Sequence, residues 1–239
     1  MSKTTESGNS TVRGIRLDTV VPWGRSFDEY VRMFNLGASE LERSILGCGD
    51  GPASFNSEAY ARGVRIISVD PLYHHSAQEI RRRISDVRPG LMEQLRLHAD
   101  AYCWDLITSP AELERLRMQA MASFLEDYAL GLEEGRYLPY SLPNLPFRHG
   151  AFDLALVSHF LFTYADQLRP SFHLNALLEC LRVAQEVRVF PLVNHDGTPV
   201  KWLPALTSAL AQQGFTSRIQ QVDYEFQKGA NTMLVVRNG

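Results

Sequence analysis

Ser44-Ile45-Leu46-Gly47-Cys48-Gly49-Asp50-Gly51-Pro52, followed by Val64-Arg65-Ile66-Ile67-Ser68-Val69-Asp70, sets the architecture of this chain. The first stretch is an apolar strand running into a glycine-rich turn. The second is another apolar strand, and it ends on a carboxylate. Glycines at such a turn let the backbone approach a ligand where a Cβ would clash. An acid at the tip of the next strand can accept both hydroxyls of a ribose. Together they describe a nucleotide-like cofactor lying across the ends of two neighbouring parallel strands.

Outward from this pair, strands and helices alternate, as in a parallel sheet with helices on both faces. The spacing predicts strands over 44–48, 64–69, 137–140, 152–157 and 186–192, with helices over 53–62, 171–183 and 200–213. The run 152–157 is apolar almost throughout, as expected for a strand buried on both faces. Ser26-Phe27-Asp28-Glu29, Ser76-Ala77-Gln78-Glu79 and Ser109-Pro110-Ala111-Glu112 each read as a capping box opening a helix. The first helix is expected to run to about Leu36 with Gly37 as its stop, the second through Ile84 and the third to about Leu132. Two last strands, over 217–224 and 232–237, are joined through Gln227-Lys228-Gly229, a connection short enough only for a hairpin. About 65 residues separate the second strand from the third, so the surplus over one crossover helix is expected to hold two helices at the ligand-facing edge.

The bulk properties exclude several classes. The 239 residues suit one α/β domain with an insertion. A formal net charge of −3 gives no basic bias toward nucleic acid or an anionic membrane. Cys48, Cys103 and Cys180 are far apart, with no CxxC or zinc spacing, and read as reduced thiols of a cytoplasmic protein. The polar residues 1–12 read as a disordered leader rather than a signal peptide. No apolar run approaches the roughly 20 residues of a membrane span.

Ile45-Leu46-Gly47-Cys48-Gly49-Asp50-Gly51 resembles motif I of the class I S-adenosylmethionine-dependent methyltransferases. Asp70 matches that family's ribose-binding acid. Leu145-Pro146-Phe147 and Gly150-Ala151-Phe152-Asp153-Leu154-Ala155-Leu156-Val157-Ser158 are similar to its loop and fourth strand. Pro52 stands where a dinucleotide fingerprint wants a third small residue, which separates the turn from an NAD site. The resemblance implies a seven-stranded, mostly parallel Rossmann-like sheet with an antiparallel last strand, helices on both faces, and a helical insertion at about 73–137. It implies a single methyltransferase domain over 13–239.

By that resemblance, S-adenosylmethionine is the cofactor and S-adenosylhomocysteine the product. Gly47, Cys48, Gly49 and Gly51 would pack against the cofactor, and Asp70 would bind its ribose. Where the family usually has an Asp for the adenine amino group, this chain has Ser141 followed by Leu142, so the Ser141 hydroxyl and the Leu142 amide are the candidates there. Ser158 and His159 end the fourth strand, where the family places methyl transfer, and His159 is the candidate general base. The chain is similar to unassigned bacterial members of that fold, and a small-molecule acceptor is expected, with the insertion as lid and specificity element. A methyltransferase-like binding module, and a protein or RNA methyltransferase acting with a partner, are the alternatives. Tyr164, the Arg81-Arg82-Arg83 run, and Gln227 with Lys228 are weighed as packing or solvated residues that could also face a pocket. His74 and His75 lack the further ligands a metal site needs.

Overall fold

The computed structural model of this chain describes residues 21–239, so the expected leader lies outside the described residues. The Ser26 box forms as read: the Ser26 hydroxyl accepts from the Glu29 amide at 3.3 Å, and the Glu29 carboxylate accepts from the Ser26 amide at 3.0 Å. It opens α1 (Phe27–Phe34). This helix stops at Asn35, in the left-handed region with φ 48°, before the expected Gly37. Asn tolerates that conformation better than most side chains. A single-turn helix, α2 (Ala38–Leu41), then leads into β1 (Ile45–Cys48). Next come α3 (Phe55–Ala61) and β2 (Ile66–Val69).

Between β2 and β3 (Tyr137–Leu138) the chain forms two long helices, α4 (Ala77–Leu97) and α5 (Pro110–Glu133). The Ser76 box caps α4, which continues through Pro89 well past Ile84. The box expected at Ser109 is shifted. Ser109 does accept from the Glu112 amide at 3.1 Å, but the Glu112 carboxylate accepts from the Thr108 amide and hydroxyl instead of from Ser109. The remaining elements are β4 (Phe152–Ser158), α6 (Pro170–Val183), β5 (Ala184–Phe190), α7 (Leu203–Gln212), β6 (Phe215–Gln221) and β7 (Thr232–Asn238).

These strands form one sheet in the order β3-β2-β1-β4-β5-β7-β6, with β7 antiparallel to both of its neighbours. The first five strands are parallel: Ile45 lies opposite Ile66 on one side and Leu154 on the other. This is the seven-stranded, mostly parallel Rossmann-like sheet with an antiparallel last strand that the resemblance implies. Alternate residues feed two cores. Leu46, Cys48 and Val157 face α6 and α7, whereas Ile45, Leu154 and Leu156 pack with α1 and α3. The order reverses at β1, since the chain runs outward through β2 and β3 and then returns to place β4 on the other side. A crevice therefore forms beyond the carboxyl ends of β1 and β4, where open α/β sheets hold ligands. No helix among the described residues is long and apolar enough to cross a membrane.

Candidate active site

A cavity of about 670 Å³ lies at this strand-order reversal, within the range of roughly 300–1,000 Å³ usual for small-molecule sites. Gly49, Gly51, Asp70, Ser141, Leu142, Ser158 and His159 all line it. The elements explain the convergence. Gly49 and Gly51 lie in the turn after β1, Asp70 at the tip of β2, and Ser158 and His159 at the tip of β4.

Gly49 and Gly51 have φ of 72° and 54°, the region in which a side chain is strained. Their turn is tied to β2. The Gly51 amide donates to one oxygen of Asp70 at 2.9 Å, and the Leu72 amide donates to the other at 2.7 Å. Each oxygen keeps a second lone pair, so the fixed carboxylate can still accept from a diol. Burial raises the Asp70 pKa, and the two amides partly offset that rise.

Gly47 and Cys48 do not line the cavity. A Cβ on Gly47 would lie 1.8 Å from Oδ2 of Asp50, so the space there belongs to a neighbouring side chain. Cys48 is fully buried among the residues facing α6 and α7, beside Cys180. Strand alternation sends it to that face. Asp50 is itself a lining residue and accepts from the Tyr30 hydroxyl at 2.8 Å and from the Ser68 hydroxyl at 2.7 Å. Burial pushes its carboxyl up to about 6.

His159 adopts φ 47°, an uncommon conformation for a residue with a side chain. Its amide donates to the Phe190 carbonyl at 2.7 Å, which ties this turn to β5. Nδ1 lies 3.1 Å from the Ser158 hydroxyl. Burial, and then the charges of Arg25 and Arg117, hold its pKa well below the usual imidazole value. The ring is therefore neutral at pH 7.

Several lining residues were not singled out by sequence reasoning. Arg25 and Arg117 lie near His159, and Tyr30 and Tyr224 lie near Arg25. Arg117 pairs with Glu29 at 2.5 Å, and the Tyr224 hydroxyl donates to the same carboxylate at 2.8 Å. That pairing drives Glu29 down to about 2 against the opposing effect of burial. An apolar wall comes from Met92 and Leu95 of α4, Leu113 of α5, and Tyr102, which stacks on Phe226 at 4.8 Å. Among the secondary candidates, Tyr164, His75, Arg83 and Gln227 also line the cavity. Tyr164 accepts from the Val21 amide, and Lys228 instead donates to the Asp100 carbonyl. Among the described residues no group of three or more His, Cys, Asp or Glu is placed to hold a metal ion.

Comparison with known proteins identifies a relative. The uncharacterized protein MJ0045 of Methanocaldococcus jannaschii is 32% identical over 227 residues, covering 95% of this chain and 100% of that protein. This chain belongs to the same family as that archaeal protein. No protein-family model matches it. Among solved structures it is similar to the magnesium protoporphyrin IX methyltransferase of Synechocystis with bound SAM, at 10% identity and a TM-score of 0.42, covering 82% of this chain and 70% of the other. A 1,6-didemethyltoxoflavin-N1-methyltransferase of Burkholderia thailandensis gives 14% identity and 0.42, covering 82% and 71%. An rRNA methylase of Streptococcus thermophilus gives 14% and 0.43, covering 82% and 88%. These superpositions are loose.

Proposed function

We propose that this protein is an S-adenosylmethionine-dependent methyltransferase acting on a small molecule. The observation that carries the reading is the Asp70 carboxylate, fixed through both oxygens by the Gly51 and Leu72 amides at the strand-order reversal. A carboxylate held there by backbone, with lone pairs left over, suits the two hydroxyls of a ribose. Gly49 and Gly51 bring backbone against whatever lies beyond them. Ser141 and Leu142 flank the same cavity and offer a hydroxyl and an amide to an adenine edge. The residues present therefore fit the cofactor.

When bound, S-adenosylmethionine supplies a methyl group already activated by its sulfonium centre. The remaining work falls to the chain. Alignment of an acceptor with that methyl supplies much of the barrier reduction, and the apolar wall of α4, α5 and Tyr102 with Phe226 excludes water. His159, neutral at pH 7, is placed to accept a proton at one ring nitrogen, with Nδ1 beside the Ser158 hydroxyl. A hydroxyl acceptor needs such a base, whereas a neutral amine does not.

Binding of S-adenosylhomocysteine by calorimetry tests the cofactor assignment. The wild-type protein is expected to bind it, and Asp70→Asn to weaken binding by about tenfold or more, the value of one charge-assisted hydrogen bond. No binding at millimolar ligand, or equal binding by the variant, overturns the assignment. Labelled cofactor incubated with fractionated metabolites, and separately with RNA, tests the acceptor. Methylation confined to RNA overturns the small-molecule reading.

A further inference from the structure

We propose that the acceptor is a monocarboxylate with an apolar body, its carboxylate held by Arg25 and Arg117 beside His159. The proposal rests on the cofactor reading above and extends it to the acceptor class.

Both guanidinium groups line the cavity. Arg117 is 1% exposed and pairs with Glu29. That carboxylate is already engaged, because it also accepts from the Ser26 amide and the Tyr224 hydroxyl. Among the described residues Arg25 has no ion pair, and its side chain makes one hydrogen bond, to the Trp23 carbonyl at 3.2 Å. The Nε atoms of both arginines are buried without a hydrogen-bond partner. Buried donors without partners are costly, and a buried charge more so.

Arg117 has the Glu29 carboxylate as its partner and Arg25 has no ion pair among the described residues, so one guanidinium of this pair is left to meet an anion. A single carboxylate matches one such cation, whereas a dianionic phosphate exceeds it. The other acids that line the cavity are engaged elsewhere: Asp50 accepts from Tyr30 and Ser68, Asp70 accepts from the Gly51 and Leu72 amides, and Asp86 pairs with Arg82 one turn away on α4. Burial and the Arg117 charge both lower the Arg25 pKa, consistent with a cation lacking its partner. Guanidinium is suited to this task, since its planar fork matches a carboxylate in geometry.

The rest of the lining describes the body of the acceptor. Trp23, Met92, Leu95, Tyr102, Leu113 and Phe226 present apolar surface. A carboxylate anchored at the arginines would lay an aromatic or aliphatic chain along this wall, with its nucleophilic atom near His159.

Calorimetry on the protein loaded with S-adenosylhomocysteine, and on the unloaded protein, tests the proposal with phenylacetate and octanoate as probes. Phenylacetamide and benzyl phosphate are the controls. At least one carboxylate is expected to bind about tenfold or more tightly than phenylacetamide, and also more tightly than benzyl phosphate. Arg25→Gln is expected to reduce that affinity about tenfold or more, Arg25→Lys to retain part of it, and both to leave S-adenosylhomocysteine affinity within about twofold. The proposal is overturned if neither carboxylate binds by about 10 mM, if amide or phosphate binds as well, if Arg25→Gln changes nothing, or if Arg25→Gln weakens S-adenosylhomocysteine about tenfold or more, which would assign Arg25 to the cofactor's own carboxylate. Loss of S-adenosylhomocysteine binding by the wild-type protein would instead overturn the cofactor reading, and the two failures are read separately.

Discussion

The Asp50 carboxylate occupies the space that a side chain on Gly47 would need, with Oδ2 lying 1.8 Å from the position of a Cβ. That carboxylate cannot swing away cheaply, because Tyr30 and Ser68 both donate to it. Gly47→Ala is therefore expected to cost about 1–3 kcal/mol of stability, the usual range for forced overpacking. Removing the obstruction should recover part of the loss. In Gly47→Ala/Asp50→Ala the two penalties should fall short of additivity by about 1 kcal/mol, as for residues in direct contact. Urea denaturation of the four proteins checks this, and strict additivity would refute the steric account.

His159 invites a substitution that separates backbone from side chain. Its φ of 47° suits Asn better than Ala. His159→Asn is expected to keep the melting temperature close to wild type, and His159→Ala to lower it. Both should reduce turnover of a hydroxyl acceptor by about 10²-fold or more, the range for a lost general base. Because burial, Arg25 and Arg117 hold the imidazole pKa well below 6.5, the rate should show no imidazole limb near pH 6.5. Any such limb should lie at lower pH. Turnover followed by S-adenosylhomocysteine release from pH 5 to 8 would show it, and wild-type activity in His159→Asn would remove the base from the mechanism.

How far the sequence reveals this site depends on which residues are local to one element. The β1 turn and the acid ending β2 are legible because strand, turn and tip are contiguous. The capping boxes at Ser26 and Ser76 are legible for the same reason. Gly47 and Cys48 show where motif reading stops. One glycine yields to a side chain three residues away, and the cysteine is turned to the other face of the sheet. The cluster around His159 was hidden because Glu29 meets Arg117 across 88 residues and Tyr224 across 195. Yet one signal was available. Leu113, Arg117, Ala120, Met121 and Phe124 form the buried stripe of α5, and an arginine within an apolar stripe requires a buried partner.

Glu29→Gln leaves Arg117, at 1% exposure, without its counterion, and should cost about 3–5 kcal/mol as a broken buried pair. Glu29→Gln/Arg117→Met should be distinctly less damaging than the sum of its single changes. The pair also sets an acid limit. Glu29 titrates at about 2 in the folded chain against an ordinary value of 4.5. Its contribution is therefore complete above pH 4.5 and lost as pH falls toward 2. Wild-type stability should fall across that window more steeply than that of the double variant, and parallel profiles would contradict the assignment.

Asp50 should produce the opposite slope in a different window. Its folded pKa of about 6 lies above the ordinary 3.8, because burial disfavours the charged form. Between those values the native protein holds a proton that the unfolded chain has released. Stability from this group is therefore complete below about pH 4 and lost as pH rises through 6, by an amount of order 3 kcal/mol. Asn at position 50 can still accept from one hydroxyl while its amide donates to the other, without ever ionising. Asp50→Asn is thus expected to gain stability relative to wild type near pH 7.5, with the advantage shrinking between pH 6 and 4. Urea midpoints at pH 4, 5, 6 and 7.5 resolve the trend. A difference between the two proteins that does not vary with pH would mean that Asp50 is not the group titrating in this window.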